Sequence, residues 1–240
     1  MTERAGSGTW GHEYFPLYGI RNKFRPVSSR IADRVNLGIV TGLVAEARLA
    51  RPLGLARAGG GMPEGAEAAA EWLVGQNVDA LVSFGLAGGL DPALRPGDVV
   101  VAETVREQDQ VYATDPRVSA RFGARGGTLL AGAAVVGDAA EKARLFARTG
   151  AIAVDLESGA VARVAARHGL PFAVLRAVCD PAHRTVPPAA LVALNGRGAI
   201  GLLRVLASVM RQIGQAPALI ALGRDAAIAR AALRRCVYAG

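Results

Sequence analysis

The stretch VDLESGAVARVAARHGLPFAVLRAVCD, residues 154–180, decides the fold. An Ala-Ile-Ala-Val rise leads into Asp155, Leu156 and Glu157. From Ser158 to His168, Val161, Val164 and Ala165 recur three and four residues apart, which predicts a helix with one apolar face. Gly169 can take a positive φ and Pro171 lacks an N–H, so the helix should stop there. Phe172 to Val178 is apolar except for Arg176 and reads as a buried strand ending at Asp180. Carboxylates therefore stand at both ends of a strand–helix–strand unit.

In open α/β sheets, ligands bind at the carboxyl ends of the strands. Glu157 follows one strand and Asp180 another, so both can face one crevice. Structural roles compete with that reading. Glu157 could cap the helix, and Asp180 could pair with Arg176 or Arg184.

Two further blocks extend the pattern. Ala80 to Phe84 reads as a strand running into the Gly-rich loop Gly85-Leu86-Ala87-Gly88-Gly89, followed by Arg95-Pro96-Gly97-Asp98-Val99-Val100-Val101. Glycines there let a backbone approach a ligand closely. Near the front, Asn36 to Thr41 reads as a strand, and Gly42 opens a turn into a helix that carries Glu46, Arg48 and Arg51.

Taken together, the three blocks resemble the nucleoside phosphorylase and nucleosidase superfamily over about residues 37–207, and the front block resembles its methylthioadenosine/S-adenosylhomocysteine nucleosidase branch. LVSFGLAGGLDPALRPGD, VDLESGAVARVAA and ALIALGRDAAIARAALRR are, more narrowly, similar to the nucleosidase or phosphorylase family associated with hopanoid lipid biosynthesis, which acts on adenosylhopane. The resemblance implies a three-layer α/β/α sandwich around a central mixed sheet. It implies a catalytic domain over residues 35–240 behind an N-terminal extension, residues 1–34.

The resemblance also implies the chemistry, cleavage of an N-glycosidic bond with release of adenine. Asp180 would protonate purine N7, Glu157 would accept hydrogen bonds from the ribose hydroxyls, Leu156 would pack on the sugar and Glu46 would activate water. Leu86, Ala87 and Gly88 would line the substrate loop. The chain departs from the family pattern at two of these places. Leu86 stands where many relatives carry a hydroxyl that helps hold phosphate or water, and Ala140 stands where an aromatic often stacks on the purine. No metal or cofactor is implied. Phosphate as co-substrate is the alternative to water, with Arg48, Arg51 and Arg106 as candidate anion ligands. A non-catalytic nucleoside-binding protein is the second alternative.

Composition bounds the rest. In 240 residues with 51% apolar and 20% charged content, there is material for one large core. No run approaches the roughly 18 uncharged residues that span a bilayer, and the N-terminus shows no signal-peptide core, so cytoplasm is the expected compartment. Cys179 and Cys236 agree with reducing conditions. The net charge of +8 is held by the ends: +3 over residues 1–34 and +5 over residues 199–240. That distribution suits an ordinary solvated basic surface as well as it suits peripheral contact with an anionic inner-membrane surface, and nucleic acid less, since no binding motif for it is present. The expected partners are a small-molecule nucleoside, lipid-linked in the narrower reading, and further copies of the chain.

Three more elements complete the expectations. Arg106 to Pro116 reads as a polar connection, Ala133 to Val136 as a strand, and Ala139 to Arg148 as a helix. Leu202, Leu206, Val209 and Ile213 mark an amphipathic helix, and Ala218 to Val237 a basic one with Leu219, Leu222, Ala226 and Leu233 on one stripe.

Overall fold

The computed structural model describes residues 35–187 and 216–238. The N-terminal extension and the helix expected around Leu202 to Ile213 lie outside the described residues.

Among the described residues, a mixed sheet of nine strands forms the middle layer. Its central strand, β3 (Ala80–Gly89), pairs in parallel with β1 (Leu37–Thr41) over its first half, and with β9 (Phe172–Asp180) along most of its length. The last two residues of β3, Gly88 and Gly89, pair antiparallel with β8 (Ala153–Asp155). β3 is thus paired with β9 along one edge, and along the other with β1 as far as Phe84 and with β8 at Gly88 and Gly89. The expected Gly-rich loop is a continuation of the strand, because β8 and β9 supply the backbone partners that a loop would lack.

Outward from this centre, β2 (Leu55–Ala58) pairs with β1, and β7 (Thr128–Ala131), β5 (Thr104–Glu107) and β6 (Gln110–Ala113) extend the sheet beyond β8. β4 (Val99–Val100) pairs antiparallel with β9. Two expectations shift. The strand lies at Thr128–Ala131 rather than Ala133–Val136, and the polar connection after Arg106 is the second half of a β-hairpin.

Helices cover both faces, as expected for three layers. On one face lie α2 (Pro63–Val74), begun by Pro63 in its first turn, and α5 (Ser158–His168). The second of these has the bounds expected from sequence, and Gly169 ends it at φ +62°. Ala66, Ala69, Ala70 and Leu73 of α2 meet Ala160, Val161, Val164 and Ala165 of α5 and the sheet residues Val40, Leu81, Val174 and Val178. Trp72 stays 40% exposed, with Arg57 4.4 Å above its ring.

The opposite face is covered by α1 (Val44–Ala50), α3 (Pro116–Ser119) and the long α6 (Ala216–Tyr238). Ala229, Ala232, Leu233 and Val237 of α6 pack with Ile39, Val82, Phe84, Leu175 and Ala177. The buried stripe of α6 therefore includes Leu233 but otherwise falls on Asp225, Ala229, Ala232 and Val237, while Leu219, Leu222 and Ala226 are half-buried. Arg224, Arg230, Arg234 and Arg235 are exposed. α4 (Ala139–Thr149) starts at Asp138, whose carboxylate accepts from Ala140 N at 2.6 Å, and ends at Gly150 in the left-handed region. Among the described residues no helix is long and apolar enough to cross a membrane.

Candidate active site

Glu46 sits at the third position of α1. It is buried, and Oε2 accepts from Leu43 N at 2.9 Å, closing half of a capping box that ties the helix start to the turn after β1. Oε1 accepts from Leu86 N at 3.2 Å. Burial raises this carboxyl above its ordinary range, against the lowering effect of those backbone N–H groups and of Arg176.

Arg176, at the middle of β9, is 1% exposed. Burying a guanidinium is costly unless carboxylates and acceptors surround it. Its Nη2 lies 2.5 Å from Asp155 Oδ2 and 3.1 Å from Glu157 Oε2, and donates to Ser83 Oγ at 2.6 Å. Nη1 donates to the Leu86 carbonyl at 3.2 Å. The alternative in which Asp180 pairs with Arg176 or Arg184 is not what forms: Arg176 pairs with Asp155 and Glu157, and Arg184 with Asp225. Nor does the Glu157 side chain cap α5; Asp155 does this, with Ser158 N at 3.2 Å from Oδ1 and Ser158 Oγ at 2.5 Å from Oδ2.

Three acids, Asp155, Glu157 and Glu46, thus share one buried cation. Desolvation is the largest cause that moves Glu157, opposed by Arg176 and reinforced by repulsion from Asp155 and Glu46, and it is pushed up to about 7.

Asp180 closes β9. A register shift between Ala87 and Gly88 sets Gly88 opposite Asp180 instead of Cys179. Oδ2 accepts from the ammonium of Lys142 of α4, and Oδ1 from Cys179 Sγ at 3.2 Å. Burial raises its pKa, with Lys142 the main opposing influence.

The carboxylates converge on small residues. A Cβ placed on Gly42 would lie 2.5 Å from Glu157 Oε1; one on Gly85 would lie 3.0 Å from Glu46 Oε2 and 2.7 Å from Arg176 Nη1; one on Gly88 would lie 3.4 Å from both oxygens of Asp180. The second half of β3 is therefore the floor of the candidate site, with Glu46 beside Gly85 and Asp180 beside Gly88, while Glu157 lies beside Gly42 at the end of β1. Gly60 N donates to the Gly42 carbonyl at 2.9 Å, which brings the 59–62 turn beside Glu157, and Gly132 N donates to Asp155 O at 2.7 Å, which ties the start of the 132–138 segment to the end of β8.

The other expected residues fall around this floor in different ways. Leu86 offers the floor its backbone N–H and carbonyl, while its side chain packs with the α6-side core. Ala87 is buried in the α2–α5 core, and Gly88 is half-buried. Leu156 is half-buried between β8 and α5, and Ala140 is exposed in the first turn of α4. Arg48 and Arg51 are exposed, and Arg106 is half-buried in β5. His183, three residues past Asp180, is exposed. Among the described residues no group of three or more His, Cys, Asp or Glu could hold a metal.

Sequence reasoning missed Asp155, Arg176 as an organiser, Ser83 and Lys142. One signal was present: a single charge inside an otherwise apolar buried strand demands buried partners.

A model of the phosphorylase superfamily matches residues 37–200. The chain is 37% identical over 133 residues to the futalosine hydrolase of Streptomyces coelicolor, covering 45% of this chain and 57% of that protein, so it spans little more than half the length of that relative. Two solved structures share the fold. The 5′-methylthioadenosine/S-adenosylhomocysteine nucleosidase of Neisseria meningitidis, in complex with methylthio-immucillin-A, superposes with a TM-score of 0.58 at 17% identity over 73% of this chain and 98% of that one. The native futalosine hydrolase of Helicobacter pylori gives 0.59 at 17% identity, over 75% and 99%. Because the family match runs from β1 through β9 and takes in more than half of the sequence, the chain belongs to the phosphorylase superfamily.

Proposed function

We propose that this protein is a nucleosidase that cleaves the N-glycosidic bond of an adenine nucleoside, with water as nucleophile and adenosylhopane as substrate. The observation that carries the reading is the placement of three buried carboxylates along the strand ends, Glu46 beside Gly85, Glu157 beside Gly42 and Asp180 beside Gly88. Such cleavage needs a proton for the leaving base, a grip on the sugar and a base for the nucleophile. The crevice has three carboxylates to divide among these tasks.

Asp180, raised by burial, gives a proton to purine N7 as the N9–C1′ bond breaks and the bonding electrons leave with the base. Glu157 accepts hydrogen bonds from the ribose 2′ and 3′ hydroxyls, held in place by Arg176 at 3.1 Å. Leu156 packs on the sugar. Water adds to C1′ and loses its proton to Glu46, whose charge also favours the positive character that develops on the sugar.

Water is favoured over phosphate by the absence of a free buried cation at the described site. Arg176 is already engaged by Asp155 and Glu157, and Arg48 and Arg51 are exposed. The matched relatives are named as a hydrolase and a nucleosidase. The adenosylhopane assignment rests on the likeness of residues 81–98, 154–166 and 218–235 to the hopanoid-associated family. Peripheral membrane contact through the exposed arginines of α6, and assembly into a homo-oligomer, belong to the same proposal.

The test is base release from adenosylhopane, methylthioadenosine and futalosine, each with and without phosphate. Phosphate-independent release of adenine from adenosylhopane is the expected result. Release that requires phosphate makes the protein a phosphorylase and removes Glu46 as the base. Release from the other nucleosides alone overturns the lipid substrate, and no release from any leaves a non-catalytic nucleoside-binding protein.

A further inference from the structure

Lys142 is a lysine with no exposed surface, two residues beyond Ala140 on α4. An ammonium has three protons to donate. Here one goes to Asp180 Oδ2, one to the Pro181 carbonyl at 3.2 Å and one to the Arg184 carbonyl at 3.2 Å. The side chain therefore holds both the carboxylate at the end of β9 and the turn that follows it. With its donors spent, Lys142 has none left for a substrate, so it acts only through Asp180.

We propose that Lys142 is a positioning residue for protonation of the leaving base: it aims the Asp180 carboxyl at the crevice, and its charge governs the pH range in which Asp180 carries the proton. The inference rests on the nucleosidase reading. Among the described residues, three charged or titratable groups face Asp180. They are Lys142 from α4, Cys179 beside it on β9, and Arg184 in the turn, whose guanidinium is paired with Asp225 of α6. Lys142 is the one among these in direct ionic contact with it. Desolvation drives the Asp180 carboxyl upward and Lys142 opposes it, so removing the charge should extend the protonated form to higher pH.

The experiment compares Lys142→Gln, which removes the charge and keeps a polar side chain with two donors and one atom less reach, with Lys142→Arg, which keeps charge. The pH profile of kcat/KM for adenine release should fall on its alkaline side as Asp180 loses its proton. Lys142→Gln should move that limb up by about one to three pH units, and Lys142→Arg should leave it in place. An equal loss of rate at every pH, with the limb unmoved in both, would make Lys142 a structural strap and overturn the inference.

A second readout separates this failure from failure of the nucleosidase reading. The 13C carboxyl resonance of Asp180, assigned with Asp180→Asn, titrates whether or not the protein turns over substrate. A midpoint raised in Lys142→Gln supports the inference even for a protein that releases no base, and an unchanged midpoint overturns it.

Discussion

Arg176 and Glu157 face one another at 3.1 Å in the interior, their side chains 1% and 9% exposed. The guanidinium is shared with Asp155, so Glu157 is a second carboxylate on an already neutralised cation.

That surplus gives stability a pH dependence. Glu157 rises from 4.5 to about 7 on folding. A carboxyl raised by folding contributes stability that is fully present below 4.5 and lost as pH climbs through 7. Glu157→Gln removes the liability while leaving Arg176 paired with Asp155. Urea unfolding should show the variant more stable than the parent at pH 8, by a margin of about 3 kcal/mol at most, with the advantage gone at pH 4. A margin that does not change with pH would contradict the assignment.

Asp180→Asn and Glu46→Gln should each lower kcat for base release by about 10²- to 10⁴-fold. Their pH profiles should differ, since Asp180→Asn removes the alkaline limb and Glu46→Gln the acid one. Single-turnover assays across pH check this, and loss of the same limb in both would refute the division of roles.

Gly42→Ala would place a Cβ 2.5 Å from Glu157 Oε1. Because the neighbouring atom is a carboxylate held by Arg176, the clash displaces Glu157. The expected result is a raised KM for the nucleoside and a stability loss of about 1–3 kcal/mol. Kinetics and thermal unfolding of this variant measure both. A KM equal to the parent's would show that Glu157 does not grip the sugar.

Four exposed arginines on α6, Arg224, Arg230, Arg234 and Arg235, should recruit the protein to vesicles containing anionic lipid, and binding should weaken with added salt. Reversing all four to Glu should abolish recruitment. Deleting the helix is a poorer test, because Ala229, Ala232, Leu233 and Val237 pack into the core. Equal co-sedimentation of parent and reversed protein would exclude α6 as the contact.

Periodicity revealed much of the frame. The apolar spacing of Val161, Val164 and Ala165 with Gly169 behind them marks α5 as it is found, and the run Phe172 to Val178 marks β9. Glycine carries a loop signal locally, whereas the strand character of Gly88 and Gly89 comes from β8 and β9, distant in sequence. The three carboxylates of the crevice were visible as residues. Their partners were less so: Lys142 sits in an ordinary helical pattern, and nothing local shows that its ammonium reaches Asp180 from 38 positions away. Asp155 was hidden next to Glu157, since sequence spacing does not say which of the two caps the helix.

The β3 floor is paired with β9 along one edge and with β8 at Gly88 and Gly89 on the other, and this restricts how such a site can diverge. Inserting or deleting one residue there would turn every following side chain to the other face of the sheet. Changes of length are thereby confined to flanking segments such as residues 59–62, beside Glu157, and 132–138, which begin beside Asp155. Two enzymes of this architecture can then share the bond they break and differ in the molecule that carries it.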